Sequence, residues 1–242
     1  MAYRVPRWLS DGLGTILDVL LPSPCVTCGR TGSAMCAECL EAVERFRRPE
    51  CNSCGLPIPP DTTQVHCDEC LRARSAVRAV RSAGPFDSTL RSAIHAFKYG
   101  DRPDAASPLA SLLLAPVTRL IGGNPLAARW TLVPVPLHPN RIATRGYDQA
   151  SLLALHLARA VDLPIVARLH RVRETAAQVG LGRRARLANM SGAFRFQGLP
   201  ITGTVILVDD VMTTGATLDQ AARACLAAGC TDVCAVTLAR EP

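Results

Sequence analysis

The chain has 242 residues, 48% hydrophobic and 19% charged, with a formal net charge of +7. Its mean hydropathy is +0.17. That balance can bury a core and excludes disorder as the main state, and at 4% aromatic content the chain lacks the stacking platforms of an aromatic single-strand binder. Lys98 is the only lysine among 27 basic residues, and the basic excess falls after residue 81, where 17 basic residues face 11 acidic ones. An anionic small molecule or a nucleic acid would be drawn to that part.

At the N-terminus, Arg4 and Arg7 precede an apolar stretch that Asp11 and Asp18 interrupt. No segment reaches the ~18–20 uninterrupted apolar residues of a membrane span. No convincing signal-peptide cleavage site follows, so no membrane span and a cytoplasmic, reducing location are expected. Trp8, Leu9, Leu13, Ile16, Leu17 and Leu20 recur at helical spacing, which predicts an N-terminal amphipathic helix over 1–24.

Eight of the eleven cysteines fall in four CxxC pairs, Cys25/Cys28, Cys36/Cys39, Cys51/Cys54 and Cys67/Cys70. A CxxC turn sets two thiolates on one side of a tight loop, and two such turns complete a tetrahedral four-sulfur site. In a reducing compartment this predicts two structural Zn2+ ions in a small module over 25–72, rather than disulfides. Sequential pairing of the turns and cross-braced pairing, first with third and second with fourth, both fit the spacing. Four thiolates per site leave no vacancy for His66. Cys225, Cys230 and Cys234 lie in apolar patterns and read as buried small hydrophobes.

From residue 77 the pattern alternates strands and helices. Strands are expected over 77–86, 131–135, near 164–169, near 204–208 and over 232–238. Helices are expected over 87–98 (capped by Ser88), 104–121, 147–160 and 215–228. No repeat is evident beyond the CxxC pairs. Continuous apolar strands indicate a parallel sheet flanked by helices, an α/β domain over 77–242.

Residues 205–218 carry the chemistry. Four apolar residues lead to Asp209 and Asp210, and Thr213, Thr214, Gly215, Ala216 and Thr217 open the next helix. Open α/β sheets bind ligands at the carboxyl ends of their strands. Small residues at a helix N-terminus suit a phosphate, whereas paired carboxylates suit vicinal hydroxyls or a divalent cation. The stretch describes a ribose 5-phosphate site.

This stretch resembles the phosphoribosyl diphosphate (PRPP) motif of the type I phosphoribosyltransferases. The wider chain resembles the ComF family, which joins an N-terminal double zinc-ribbon module to such a domain. The likeness also rests on Lys98-Tyr99-Gly100, on Val135-Pro136-Leu137 leading to Arg145-Gly146-Tyr147-Asp148-Gln149-Ala150, and on Thr175, Gln178, Leu181, Arg186 and Asn189 before Gly192-Ala193-Phe194. Asp148 departs from the asparagine more usual there.

The resemblance implies that Asp209 and Asp210 hold the ribose hydroxyls with PRPP-bound Mg2+ nearby, that residues 213–217 cradle the 5-phosphate, and that Arg145 contacts pyrophosphate. It implies a hood loop over 171–189. Arg171, Arg173, Arg183, Arg184 and Arg186, with Gly180 and Gly182, independently suit a lid closing on an anionic leaving group. Relatives acting on purines carry an aspartate where this chain has Thr213, which disfavours that base and leaves Lys98 and Asp148 as candidates. Two readings follow: a PRPP-dependent transferase with an unidentified acceptor, or a PRPP-binding, non-catalytic module supporting single-stranded DNA uptake beside a competence helicase. The oligomeric state, homo-oligomer included, stays open.

Overall fold

The computed structural model describes residues 23–73, 75–122, 129–173 and 192–241. The expected N-terminal helix and the hood-loop residues Arg183, Arg184 and Arg186 lie outside them.

The cysteine-rich part folds the same way twice. In the first unit, Cys25 N donates to Arg30 O (2.7 Å), Gly29 N donates to Cys25 O (2.9 Å), and Pro24 bridges Thr31 antiparallel. Cys36 then caps the short helix α1 (Ala37–Glu41). In the second, Cys51 N donates to Leu56 O (2.7 Å), Gly55 N donates to Cys51 O (2.9 Å), Glu50 bridges Pro57, and Cys67 caps α2 (Asp68–Arg72). Matching positions lie 26 residues apart in the first half of each unit and 31 apart in the second. This offset change hides the repeat from a sequence reading. Gly29 and Gly55 both adopt positive φ, 75° and 73°. Their surroundings differ: a Cβ at Gly29 would meet nothing within 4 Å, whereas one at Gly55 would lie 2.7 Å from the Val80 carbonyl oxygen.

The described residues then form six strands: β1 (Ala79–Pro85), β2 (Trp130–Pro134), β3 (Leu169–Arg171), β4 (Phe194–Phe196), β5 (Thr204–Met212) and β6 (Asp232–Arg240). Four of them form an all-parallel sheet in the order β1-β6-β5-β2. Central β5 buries Val205, Ile206, Leu207 and Val208 completely, the mark of a strand covered on both faces. Its register places Asp209 beside Thr237 and Met212 beside Arg240. The strand expected near 164–169 is reduced to a bridge between Ile165 and Leu132, and β3 instead pairs antiparallel with β4 in a separate ribbon.

Among the described residues the α-helices of this part are α3 (Ser88–Tyr99), α4 (Ala106–Ser111), α5 (Leu114–Ile121), α6 (Pro139–Arg145), α7 (Gln149–Val161) and α8 (Ala216–Ala227). Asp87, not Ser88, caps α3, accepting from Leu90 N at 3.1 Å. The single helix expected over 104–121 is broken at Leu112–Leu113. Pro116 accounts for this, because it cannot donate to the Leu112 carbonyl and its ring crowds that oxygen. Helix α6 was not expected, although Pro139 at its first turn and Gly146 at left-handed φ 79° bound it as start and stop signals.

Each sheet face carries its own core. One gathers Ile206, Val208 and Val236 with Leu90, Ile94 and Phe97 of α3, and the first cysteine unit adds Cys25, Met35 and Cys39, with Val43 just beyond it. The other gathers Val205, Leu207 and Ala235 with α8 and the β3–β4 ribbon. Cys225, Cys230 and Cys234 are buried, as expected. The second unit meets β1 through polar contacts. Val80 N donates to Ser53 O (2.7 Å), Arg81 donates to Asn52 O (3.1 Å), and Glu50 pairs with Arg81 (3.2 Å) and Arg119 (3.5 Å).

Candidate active site and metal centres

The eight sulfurs collect in two tetrads, Cys25/Cys28/Cys36/Cys39 and Cys51/Cys54/Cys67/Cys70, with the sulfurs of each within 4.8 Å of one another. The pairing is sequential, not cross-braced. Backbone N–H groups prepare each tetrad for thiolate: Cys36 N donates to Cys25 Sγ (3.4 Å) and Cys67 N to Cys51 Sγ (3.3 Å). Burial acts to raise the Cys25 and Cys51 thiols, but surrounding N–H groups outweigh it and bring both down to about 6. Burial and neighbouring thiols push Cys39 up to about 12, as expected where four thiols crowd together and only a dication can neutralise them. Two all-sulfur tetrads without an open position fit structural zinc. His66 is no ligand; its Nδ1 hydrogen-bonds Ser53 Oγ at 3.0 Å.

At the carboxyl end of the parallel sheet lies a cleft of about 1110 Å³. It brings together Lys98, Tyr99, Arg145, Arg171, Asp209, Asp210, Thr213 and Thr217, and adds Arg141 and Glu241, which the sequence did not single out; Thr214, Gly215 and Ala216 do not line it. Arg173 lies just past β3 and does not line it.

Lys98 Nζ sits 2.6 Å from Asp210 Oδ1, so the last turn of α3 delivers a cation to the strand-end carboxylates. Burial, with the Asp210 carboxylate second, holds the Asp209 carboxyl well above the usual carboxylate range, at about 8, despite opposing help from Lys98 and from the Asp210 N–H, which donates to Asp209 Oδ1 at 2.8 Å. A carboxyl pair, Asp210 buried and Asp209 partly so, sharing one nearby cation is primed for a ligand that brings hydroxyl donors or a second cation.

The loop after Met212 has the form of an anion cradle. Gly215 takes φ 76°, a left-handed backbone that favours glycine, and a Cβ there would lie 2.7 Å from the Met212 Cε methyl, which would have to shift. Gly215 caps the twelve-residue α8, whose N-terminal N–H groups face the loop. The Thr214 hydroxyl is buried without a protein partner. An orphaned buried hydroxyl in a loop of this shape fits a phosphate oxygen.

The three arginines in the cleft stand differently. Arg145, at the end of α6, donates to Tyr99 Oη (3.2 Å) and Gln149 Oε1 (3.1 Å), with its guanidinium 4.8 Å from the Tyr99 ring centre. Arg171 lies 5.7 Å from the Phe194 ring centre. Arg141, on the same short helix as Arg145, also faces the cleft. Asp148 is committed elsewhere: one oxygen accepts from Leu137 N (2.7 Å) and the other from Ser151 N (2.8 Å), capping α7 and strapping the loop after β2. An asparagine has one acceptor oxygen for these two donors, which gives this departure from the family pattern a structural reason.

Comparison with known proteins agrees with this layout. The family model described as Double zinc ribbon domain matches residues 16–71, and that of Phosphoribosyl transferase domain matches residues 142–242. DNA utilization protein YhgH of Salmonella typhi is 35% identical over 203 residues, covering 82% of this chain and 87% of its own. Competence protein F of Haemophilus influenzae is 31% identical over 195 residues, covering 78% and 82%. Competence protein ComFC of Bacillus subtilis is 26% identical over 202 residues, covering 81% and 79%. With paired zinc-ribbon tetrads, a parallel sheet and relatives that match over most of their length, the chain belongs to the ComF family.

Proposed function

We propose that the cleft binds PRPP and that the protein transfers, or once transferred, phosphoribosyl to an acceptor. The observation that carries this reading is the convergence in one cleft of the Asp209/Asp210 pair with Thr213 and Thr217, the two ends of the loop in which the Thr214 hydroxyl is buried without a partner. Asp209 and Asp210 take the ribose diol as hydrogen-bond acceptors. The N–H groups and hydroxyls of 213–217 take the 5-phosphate. Arg141, Arg145 and Arg171 line the side left for pyrophosphate, where fixed guanidinium groups stabilise the negative charge that grows as the C1–oxygen bond breaks. Carboxylate oxygens at 209 and 210 also suit a hard cation, and Mg2+ arriving with PRPP would supply further neutralisation of the leaving group.

A second reading draws on one specific observation: the two candidate bases that the sequence offers, Lys98 and Asp148, are both held by other groups. Asp148 is held by two backbone N–H groups, and Lys98 is held by Asp210. This favours a PRPP-binding module without transferase activity. The names of the relatives, DNA utilization and competence, point to a role in handling DNA, and on this reading the module supports single-stranded DNA uptake beside a helicase. Calorimetric titration of the zinc-loaded protein with PRPP and Mg2+ tests the shared part. Saturable binding that disappears in Asp209→Asn/Asp210→Asn supports the site, and absence of binding overturns it. Pyrophosphate release with trial acceptors then separates transferase from module.

A further inference from the structure

The second zinc ribbon is tied to both ends of the 213–217 loop. Ahead of the loop, Arg240 at the end of β6 is 5% exposed, and its Nη1 donates to the carbonyl oxygen of Cys54, a sulfur ligand of the second tetrad, at 2.6 Å. The same nitrogen lies 3.5 Å from Met212 Sδ, and Met212 pairs with Arg240 across β5 and β6. Met212 immediately precedes the loop, and its Cε fills the space beside Gly215. Behind the loop, Asp219 in the first turn of α8 is 7% exposed. Its carboxylate accepts from Ala76 N (2.7 Å) and Ser75 Oγ (3.3 Å), in the segment that leaves the second ribbon. Among the described residues the first ribbon has neither tie; it packs its apolar residues into the core on the sheet face of α3.

We propose that Arg240 is a positioning residue through which the second tetrad, and not the first, sets the shape of the phosphate cradle. This rests on the PRPP reading of the cleft. A metal-loaded tetrad fixes the Cys51–Gly55 knuckle and with it the Cys54 carbonyl; that carbonyl holds the Arg240 guanidinium against Met212, and Met212 holds Gly215. The tetrad also acts by charge. Four thiolates around one dication leave a net negative site, and the buried Arg240 guanidinium beside it is the counter-charge. Zinc occupancy of the second ribbon thereby becomes an input to the cleft.

The test uses the full zinc-loaded chain, with ribose 5-phosphate, pyrophosphate and PRPP as calorimetric probes, zinc content by metal analysis, and hydrogen exchange of amides 211–217. Arg240→Met, with both zinc ions retained, lowers affinity for ribose 5-phosphate and PRPP about tenfold while pyrophosphate changes by less than about twofold. It also speeds exchange across 211–217, and Arg240→Lys, keeping the charge but losing the fork, recovers part of the loss. Cys70→Ser weakens ribose 5-phosphate binding several-fold more than Cys28→Ser, a comparison that decides the matter should Arg240→Met fail to fold. Unchanged exchange over 211–217 in Arg240→Met, equal losses for all three ligands, or equal effects of Cys70→Ser and Cys28→Ser overturn the coupling. If the unaltered protein binds none of the probes, the PRPP reading fails on its own, and the exchange data still decide whether the second ribbon holds the loop.

Discussion

The first ribbon gives the α/β part its apolar side chains, Met35, Cys39 and neighbouring Val43 in a shared core, whereas the second gives it main-chain carbonyls and one partly buried carboxylate, Glu50. The difference follows from where each lands. The first unit meets a sheet face covered by helices, where only close packing of apolar groups is favourable. The second meets the β1 edge and the end of β6, where unpaired backbone groups and arginines need partners. One fold, used twice, therefore meets its neighbour by two different kinds of force, non-directional in the first case and directional in the second. Directional contacts transmit position, and that is why the second ribbon is the one we tie to the cleft.

The contrast can be broken at several points. Chelation of both zinc ions removes the largest single contribution, since metal binding in such units is folding energy on the order of 10 kcal/mol per site. Structure in 25–70 is then lost before the sheet melts, and protection of 25–70 surviving chelation would contradict the structural role. Asp209→Asn with Asp210→Asn abolishes PRPP binding yet leaves two zinc ions per chain; loss of zinc would mean that carboxylates and ribbons are not separate sites. Met35→Ala, emptying a side chain that is 2% exposed, destabilises by about 2–4 kcal/mol in denaturant melts with ribose 5-phosphate affinity little changed.

Glu50→Gln strands Arg81 and the half-buried Arg119, whose guanidinium burial already disfavours, and costs about 3 kcal/mol. The smallest effect concerns Asp209 alone. Its folded carboxyl is raised to about 8 against an ordinary unfolded value near 4, so the folded state binds the extra proton between those limits and stability falls as pH rises through them. Asp209→Asn therefore melts above the unaltered, ligand-free protein at pH 8, by about 2–4 °C for each kcal/mol relieved, with the gap closing toward pH 4. A gap independent of pH would place the burden elsewhere.

The chemistry-bearing segments were legible because they are local. Both tetrads lie in CxxC turns, and the strand, the two aspartates and the Thr-Gly loop occupy fourteen consecutive residues. The parallel sheet could be read because β5 is apolar without alternation. What escaped is long-range or depends on small signals. Arg240 meets Cys54 across 186 positions and Asp219 meets Ala76 across 143, and no periodicity announces such pairs. Arg141 was missed because α6 is short, although Pro139 and Gly146 bracket it. The duplication was hidden by the longer spacer between the two halves of the second unit, and the role of Asp148 needed the position of the Leu137 N–H.

The two knuckle glycines carry a consequence for drift. At Gly29 the only demand is a left-handed backbone, which asparagine meets at modest cost, so a population of variants can wander there and keep the turn. At Gly55 the Val80 carbonyl removes that latitude as well, and every replacement must push a strand aside. A deep mutational scan would therefore record the same residue, in the same turn, as negotiable in one copy and fixed in the other.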